Sequence, residues 1–487
     1  MDSLQASPVV DRIRACAAQV RERLAREGTS PARVAVTTGQ QVGLFTGPLL
    51  TLVKARATTA LAADLEAAGV AAEPCFWCAA EDHDLVEVTR LWVPGPDGPR
   101  DIGPPPEPLA ANRLPVGSLH PDVDFQALAE EAVRAAAPAG AAFPEEAIGL
   151  ASLARGKDYL SGFVASMAWL LGTSPLRFLD GASHADKPRL VPLALRLVTE
   201  RARVRELLAG RAETLRSEGR PLQVKSESSA LPLFALRGGE RLLLREEAGR
   251  FSLKGDGGTR YAERDVVTFF ETGEWLPSFS ALTRPLAVST LLPVAATILG
   301  PAEAAYWDQM TPLFDWANLV TPVIVPRPTV ALVEPSTRRL LERNRLSIGD
   351  LLGGADGAIA RRGSQNRPDL LRRIDDAADV AARGLLDLRG ELTSLEPGLA
   401  RNLETTVQNV RFAATKLSEK VSAAAGRADE AFANDVKRLS SELLPGGKLA
   451  ERVFSPLVPL ARCGRDRLAA ALSQIRWDDP GPQVITT

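Results

Sequence analysis

The sequence predicts an α/β protein: a parallel-sheet core, interrupted by inserted subdomains and followed by a C-terminal antiparallel α-helical coiled coil. Three observations carry this. The apolar run Val34-Ala35-Val36 stops at a glycine-punctuated loop, a helical pattern opens at Pro48, and a second apolar run, Glu73–Ala79, leads into Glu81-Asp82-His83-Asp84. That is a βαβ unit with both strand ends decorated. Strand-like runs then return at Leu286–Ser289, Val294–Ile298 and Val320–Val325, with a helical pattern at Glu303–Leu313. Beyond Thr337 the chain reads as helical, with two apolar seams separated by a turn.

The elements follow in order. Val9, Ile13, Cys16, Val20 and Leu24 give a helix over residues 8–28, which ends at Glu27-Gly28. The helix after Pro48 runs through Leu52, Ala55, Thr59, Ala62 and Leu65 to Gly69. The segment Pro94–Pro121, rich in proline and glycine, is expected to be a surface loop or edge hairpin. Helical patterns over 124–137, 144–154 and 157–172 precede a short strand at Leu176–Asp180, and one long helix is expected from Lys187 to about Glu218. Short β-like runs at Gln223–Lys225, Leu233–Leu236, Arg241–Arg245 and Phe251–Leu253, divided by glycine turns, predict a small β subdomain.

The first seam (Leu371, Ile374, Ala378, Ala381, Leu385, Leu388, Leu392, Leu395) alternates steps of three and four residues. After Glu396-Pro397-Gly398 a second follows (Leu403, Val407, Val410, Ala414, Leu417, Val421, Ala424, Ala428), predicting a helical hairpin whose second arm reaches roughly 60 Å at about 1.5 Å per residue. Alanine at several seam positions buries little, which points to a partner surface or second subunit. The expected division is a core over 1–335, with a helical insertion at about 124–218 and a β-rich one at about 221–275. A hairpin over 336–445 and a helical tail over 446–487 that returns to the core complete it.

A length of 487 residues exceeds one compact core. The net charge of -2 supplies no field that would draw the chain onto a polyanion, so no nucleic-acid partner is expected. Four cysteines are too few for a disulfide scaffold. The opening segment, broken by Asp2, Asp11 and Arg12, lacks a signal-peptide core, and no run of about twenty apolar residues offers a membrane span. A cytoplasmic protein is expected.

In parallel sheets the ligand crevice forms at the carboxyl ends of the strands. Gly39, Gly43 and Gly47 recur every four residues but match neither common phosphate-loop pattern. With Thr38, Gln40, Gln41, Thr46 and Lys54 they suit a polar or phosphorylated ligand; the alternative is a glycine turn needed only for close packing. Glu81, Asp82, His83 and Asp84 would repel or perturb one another unless solvated, paired or bound to a ligand. His83, between carboxylates, is expected to favour its charged form, as suits a group that accepts an amine proton or grips a phosphate. The alternative is helix capping by Asp82. No metal site is expected, since consecutive residues on an extended backbone alternate sides. By the same rule Cys75 and Cys78 diverge and read as buried apolar groups. Arg284-Pro285, Gly300-Pro301-Ala302-Glu303, Tyr306 and Trp307 decorate further strand-to-helix junctions that could converge on one crevice.

The segments TGQQVGLFTGPLLTLVK, FWCAAEDHD, TRPLAVSTLLP and LGPAEAAYW, in this order and followed by a helical hairpin and ERVFSPL at 451–457, resemble the BshC family of bacillithiol biosynthesis. The resemblance implies a Rossmann-like core related to class I nucleotidyltransferases and aminoacyl-tRNA synthetases, with the coiled coil forming a homodimer. It also implies a cysteine ligase that joins L-cysteine to glucosaminyl-malate. Val288 and Ser289 stand where that family has Gln and Asp, Ala302 replaces a glycine, and Pro482 stands where a histidine precedes the tail.

Amide formation needs an activated carboxylate, so ATP is the expected energy source, with Mg only as the ion carried by the nucleotide. His83, Asp82 and Asp84 are the expected catalytic groups. Thr38, Gly39, Gln40, Gln41, Gly43, Thr46, Gly47, Lys54, Glu81, Arg284, Gly300, Glu303, Tyr306 and Trp307 are expected to hold substrate or nucleotide. Lys54 would steady phosphate oxygens and Arg284 an anionic substrate. Two rivals share the scaffold: nucleotidyl transfer or another adenylate-forming ligation, and a non-catalytic metabolite-binding coiled-coil protein.

Overall fold

The computed structural model describes residues 7–96, 98–104, 112–136, 142–224 and 229–487. The chain forms two compact units, one of residues 1–332 with 451–485 and Thr487, the other of residues 333–450 with Thr486.

The strands of the first unit include, in chain order, β1 (Val34–Gln40), β2 (Ala72–Cys78), β3 (Trp92–Gly95), β4 (Gly98–Asp101), β5 (Arg177–Asp180), β6 (Ala230–Arg237), β7 (Glu240–Glu247), β8 (Arg250–Leu253), β9 (Leu276–Phe279), β10 (Val294–Leu299) and β11 (Val323–Pro326). Five of them make one parallel sheet in the order β11-β10-β1-β2-β5. β1 is central and apolar because both its faces are covered. Val34 and Val36 pack in one buried cluster with Val10 and Ile13 of the helix Pro8–Arg26, Leu61 of the helix Leu50–Ala67, and Ile298 of β10. From β1 the chain crosses to β2 on one side while β10 lies on the other, so the strand order reverses at the carboxyl end of β1.

Close approach explains the glycines of the loop that leaves β1. A Cβ on Gly39 would stand 2.8 Å from the Trp77 carbonyl oxygen on β2, and one on Gly43 would stand 3.0 Å from the Gly47 Cα. Phe45, Thr46 and Gly47 all have positive φ, which completes a tight turn ahead of the helix.

Several expected elements differ. Leu286–Ser289 is not a strand but the middle of the helix Arg284–Leu291. A four-residue apolar run does not distinguish the two, and Pro285 in the first turn presets helical φ. The single helix expected over Lys187–Glu218 is two, Lys187–Thr199 and Arg201–Ser217, broken at Glu200. The Glu200 carboxylate accepts locally from Arg196 Nε at 2.9 Å and, across the fold, from the Trp316 indole N–H at 2.7 Å, a tertiary contact at the break. β11 starts at Val323 rather than Val320, after Pro322, which has no N–H to pair.

The β insertion is an antiparallel sheet in the order β8-β7-β6-β9. It extends to Phe279 and includes the unforeseen helix Glu263–Thr272. Gln223 and Val224 form no strand; their N–H groups donate to Gln309 Oε1, and Lys225 lies outside the described residues. Within the Pro94–Pro121 segment the hairpin β3–β4 is formed, and residues 97 and 105–111 lie outside the described residues. The tail segment joins this unit through buried Glu451, which accepts from Arg327 Nη1 at 2.7 Å and from the Val330 N–H at 3.1 Å.

In the second unit the helices Pro368–Asp387 and Arg389–Leu395 run antiparallel to the helix Leu399–Arg427. The ion pairs Arg389–Glu404 at 2.9 Å and Arg411–Asp379 at 3.8 Å fix that direction. The seam expectation fails at both ends. Leu388 interrupts the first arm and is exposed, as are Leu395 and Leu417, while the last turns of the second arm pack on a different helix, Ala355–Asn366. Glycine makes that approach: a Cβ on Gly426 would lie 2.0 Å from the Ile359 carbonyl oxygen. Gly426→Ala must push the helices apart, a loss of about 1–3 kcal/mol. Thermal unfolding of the variant should show a lower midpoint for this unit, and an unchanged midpoint would show that the helices stand further apart.

Candidate functional site

A cavity of about 410 Å³ opens at the carboxyl ends of β1, β2 and β10. Its walls include Thr37–Gln40 from β1 with Gln41 just after it, Trp77 from β2, Ala79, Asp82 and Glu87 beyond β2, Arg284, Val288 and Ser289 from the helix Arg284–Leu291, and Glu303, Tyr306 and Trp307 from the helix Pro301–Met310.

Asp82 is at the centre of its charge network. Its carboxylate lies 3.2 Å from Arg241 Nη1 and 3.6 Å from Arg284 Nη2, and accepts from Gln41 Nε2 at 3.3 Å. Burial alone would raise its pKa; Arg284 and Arg241, with the Gln41 amide, outweigh this and hold it below the ordinary 3.8. Arg241 comes from β7 of the inserted sheet. Its guanidinium is buried, stacks 3.7 Å from the Phe234 ring centre, and donates to Ser278 Oγ at 2.8 Å and the Phe279 carbonyl at 3.1 Å. Burial, opposed by Asp82, pulls its pKa down to about 10.

His83 corrects the expectation of a favoured charged form. Burial first, and then Arg241, lower its pKa below 6.5 against the pull of Asp82 and Asp84. Arg241 Nη1 lies 3.1 Å from His83 Nδ1, and a guanidinium only donates, so Nδ1 accepts and the neutral ring carries its proton on Nε2. His83 and Asp84 are not among the cavity walls. Asp84, rather than Asp82, is the helix cap: its Oδ1 accepts from the Glu87 N–H at 3.0 Å. Glu81 does not face the cavity either; it is buried, and its Oε2 lies 2.6 Å from the equally buried Lys187 Nζ.

Lys54 is not free to steady a phosphate. Its ammonium is buried and donates to the Gly39 carbonyl at 2.5 Å, Gln40 Oε1 at 3.1 Å and both Glu303 oxygens at 2.8 Å, so it ties the end of β1 to the helix Pro301–Met310. Glu303 also accepts from the Gly300 N–H at 2.8 Å, a capping arrangement. Thr38 lines the cavity, its Oγ1 donating to the Ile298 carbonyl at 2.9 Å. Burial, and then Glu303, push the Tyr306 phenol up to about 12, so it stays protonated. Gly43, Thr46, Gly47 and Gly300 are not among the walls.

The cavity thus gathers Thr38, Gly39, Gln40, Gln41, Asp82, Arg284, Glu303, Tyr306 and Trp307. Sequence reasoning missed Trp77, Glu87 and Arg241. Glu87 could have been sought as the first carboxylate after the Glu81–Asp84 cluster at a helix start; nothing local marks Arg241, which meets His83 across 158 residues of chain. Trp77 Nε1, Arg284 Nε and Ser289 Oγ are buried without a hydrogen-bond partner among the described residues. Among the described residues no group of three or more His, Cys, Asp or Glu is arranged to hold a metal ion. Nor is any helix there long and apolar enough to cross a membrane.

Fold and site together define a Rossmann-like core with a small-molecule-sized cavity at its strand ends. Residues 12–328 match the family described as bacillithiol biosynthesis BshC, N-terminal Rossmann-like domain. A protein of Solibacter usitatus named "Putative cysteine ligase BshC" is 30% identical over 464 residues, covering 94% of this chain and 84% of that protein. One of the same name from Koribacter versatilis is 28% identical over 449 residues, covering 89% and 80%. The chain belongs to the BshC family, whose curated members are named as ligases.

Proposed function

We propose that this cavity joins L-cysteine to glucosaminyl-malate through an amide bond, giving bacillithiol. The observation that carries the reading is the juxtaposition of Asp82 and Arg284 across one cavity wall. A carboxylate held anionic beside a guanidinium whose Nε has no hydrogen-bond partner among the described residues is complementary to an amino acid, whose ammonium would meet Asp82 and whose carboxylate would meet Arg284. The cavity volume is within the usual range of about 300–1,000 Å³ for small-molecule sites.

Joining a carboxylate to an amine requires a leaving group better than oxide, and ATP is the proposed source, through an acyl phosphate or acyl adenylate. Lys54 is consumed by four acceptors, so Arg284 is the wall cation left for an anionic oxygen. A homodimer is proposed through the exposed apolar side chains of the 333–450 unit, Leu388, Leu395, Phe412 and Leu417 among them, in a cytoplasmic setting. Sedimentation would read the oligomeric state.

Mass spectrometry of the purified protein with cysteine, glucosaminyl-malate and ATP, beside the same mixture without ATP, tests the reaction. The amide product should form only with ATP, and the appearance of AMP or ADP identifies the activated species. No amide under any nucleotide condition would refute the reading, and nucleotide turnover without amide would point to nucleotidyl transfer.

A further inference from the structure

Three carboxylates line the cavity, and their partners divide them. Glu303 is engaged by Lys54 and the Gly300 N–H. Asp82 is pinned between Arg241 and Arg284. The Glu87 carboxylate has one hydrogen-bond partner among the described residues, the neutral amide of Gln41, whose Nε2 lies 2.9 Å from Glu87 Oε2 and also reaches Asp82. It stands exposed at the cavity rim, on the helix Leu85–Thr89 that Asp84 caps. His83 offers no such basic atom: Arg241 covers Nδ1, and Nε2 already carries the proton.

We propose that Glu87 is the group that takes the proton from the attacking amine, with Asp82 as the fixed anion beside it and Gln41 linking the two. This rests on the amide-forming reading above. In the step, the amine lone pair forms the C–N bond to the activated acyl carbon. The bond from that carbon to the phosphate oxygen breaks, its electron pair leaving with the phosphate, and the nitrogen's proton passes to a Glu87 oxygen.

The surroundings support the division. Protein crowding on one side of Glu87, and then the charges of Asp84 and Asp82, lift its carboxyl above the ordinary 4.5 against the Gln41 hydrogen bond, whereas Asp82 is depressed. Two neighbouring acids whose environments separate their pKa values mark an acid–base pair. The titratable and charged groups facing this pair are the neutral His83 and the carboxylate of Asp84 from the same turn, Arg241 from the inserted sheet, Arg284 from the helix Arg284–Leu291, and Glu303 across the cavity.

Two measurements test the proposal. With the ligase assay, kcat/KM of the wild type should rise with pH through the Glu87 pKa, because only the carboxylate accepts a proton. Glu87→Gln, of the same shape, should lower kcat by about a hundredfold or more and remove that acidic limb, with KM for cysteine changed by less than about threefold. His83→Ala should keep the limb. Wild-type kcat with an intact limb in Glu87→Gln would overturn the proposal, as would loss of the limb in His83→Ala alone. On the free protein, a ¹³C-labelled glutamate titration, with Glu87 assigned through Glu87→Gln, should give a midpoint above 4.5 that falls in Asp82→Asn. A midpoint at or below 4.5, or one indifferent to Asp82, overturns it whether or not product forms. Failure of the wild type to make amide counts against the ligase reading alone.

Discussion

Asp82→Asn is expected to lower kcat/KM for amide formation by about a hundred- to a thousandfold, the scale for removing one preorganised electrostatic contact in an enclosed site. The substitution keeps size and one carbonyl acceptor, so the cavity shape survives. What it removes is the negative charge that Arg241 and Arg284 converge on. Two guanidinium groups would then face each other without their shared anion, and an incoming ammonium would meet net positive charge. A second readout follows from the charge arithmetic. Asp82 raises the His83 pKa while burial and Arg241 lower it, so removing Asp82 should move the His83 titration further down, which proton NMR of the ring would follow. An upward or absent shift would show that Asp82 and His83 do not share the network. The pH dependence has a definite sign: because the folded pKa of Asp82 is depressed, its contribution to stability is present above the unfolded value and is lost as pH falls through the folded one.

The largest effect on stability is expected at Lys187. Its ammonium and the Glu81 carboxylate are both buried, 2.6 Å apart, and Lys187 also donates to the Gly181 carbonyl at 3.4 Å. Lys187→Met leaves the Glu81 charge in a low-dielectric interior without its partner, at a cost of about 3–5 kcal/mol. Replacing both, as Glu81→Leu with Lys187→Met, removes the uncompensated charge and should recover most of that loss. Thermal unfolding of the single and double variants makes the comparison. A double variant no more stable than Lys187→Met would mean that the pair's hydrogen bonds, rather than its charges, hold the turn. Since Glu81 immediately precedes Asp82, the pair also anchors the turn that presents Asp82 to the cavity.

Much of this was legible from local pattern. β1, β2 and the helix between them follow from an apolar run, a turn and a 3.6-residue periodicity, all of which are short-range properties of the chain. The order of strands about β1 then makes their carboxyl ends a crevice, so Gly39, Gln40, Gln41 and Asp82 could be sought there before any coordinates. The misassigned Leu286–Ser289 marks the limit of such reading, since four apolar residues satisfy both a strand and a buried helix turn.

The sequence by itself determined the α/β core, the family motifs and the neighbourhood of the cavity, because hydrophobic period and turn chemistry act over a few residues. Only the tertiary structure decided which charges meet. Lys54 pairs with Glu303 across 249 residues, Lys187 with Glu81 across 106, and Arg241 with His83 across 158. Those pairings turned Lys54 and Glu81 into buried ties, made His83 a neutral donor, and left Glu87 as the carboxylate at the rim with, among the described residues, only an amide for a partner. A side chain's charge state depends on what lies within a few ångströms of it in space, and one-dimensional spacing carries no record of that distance.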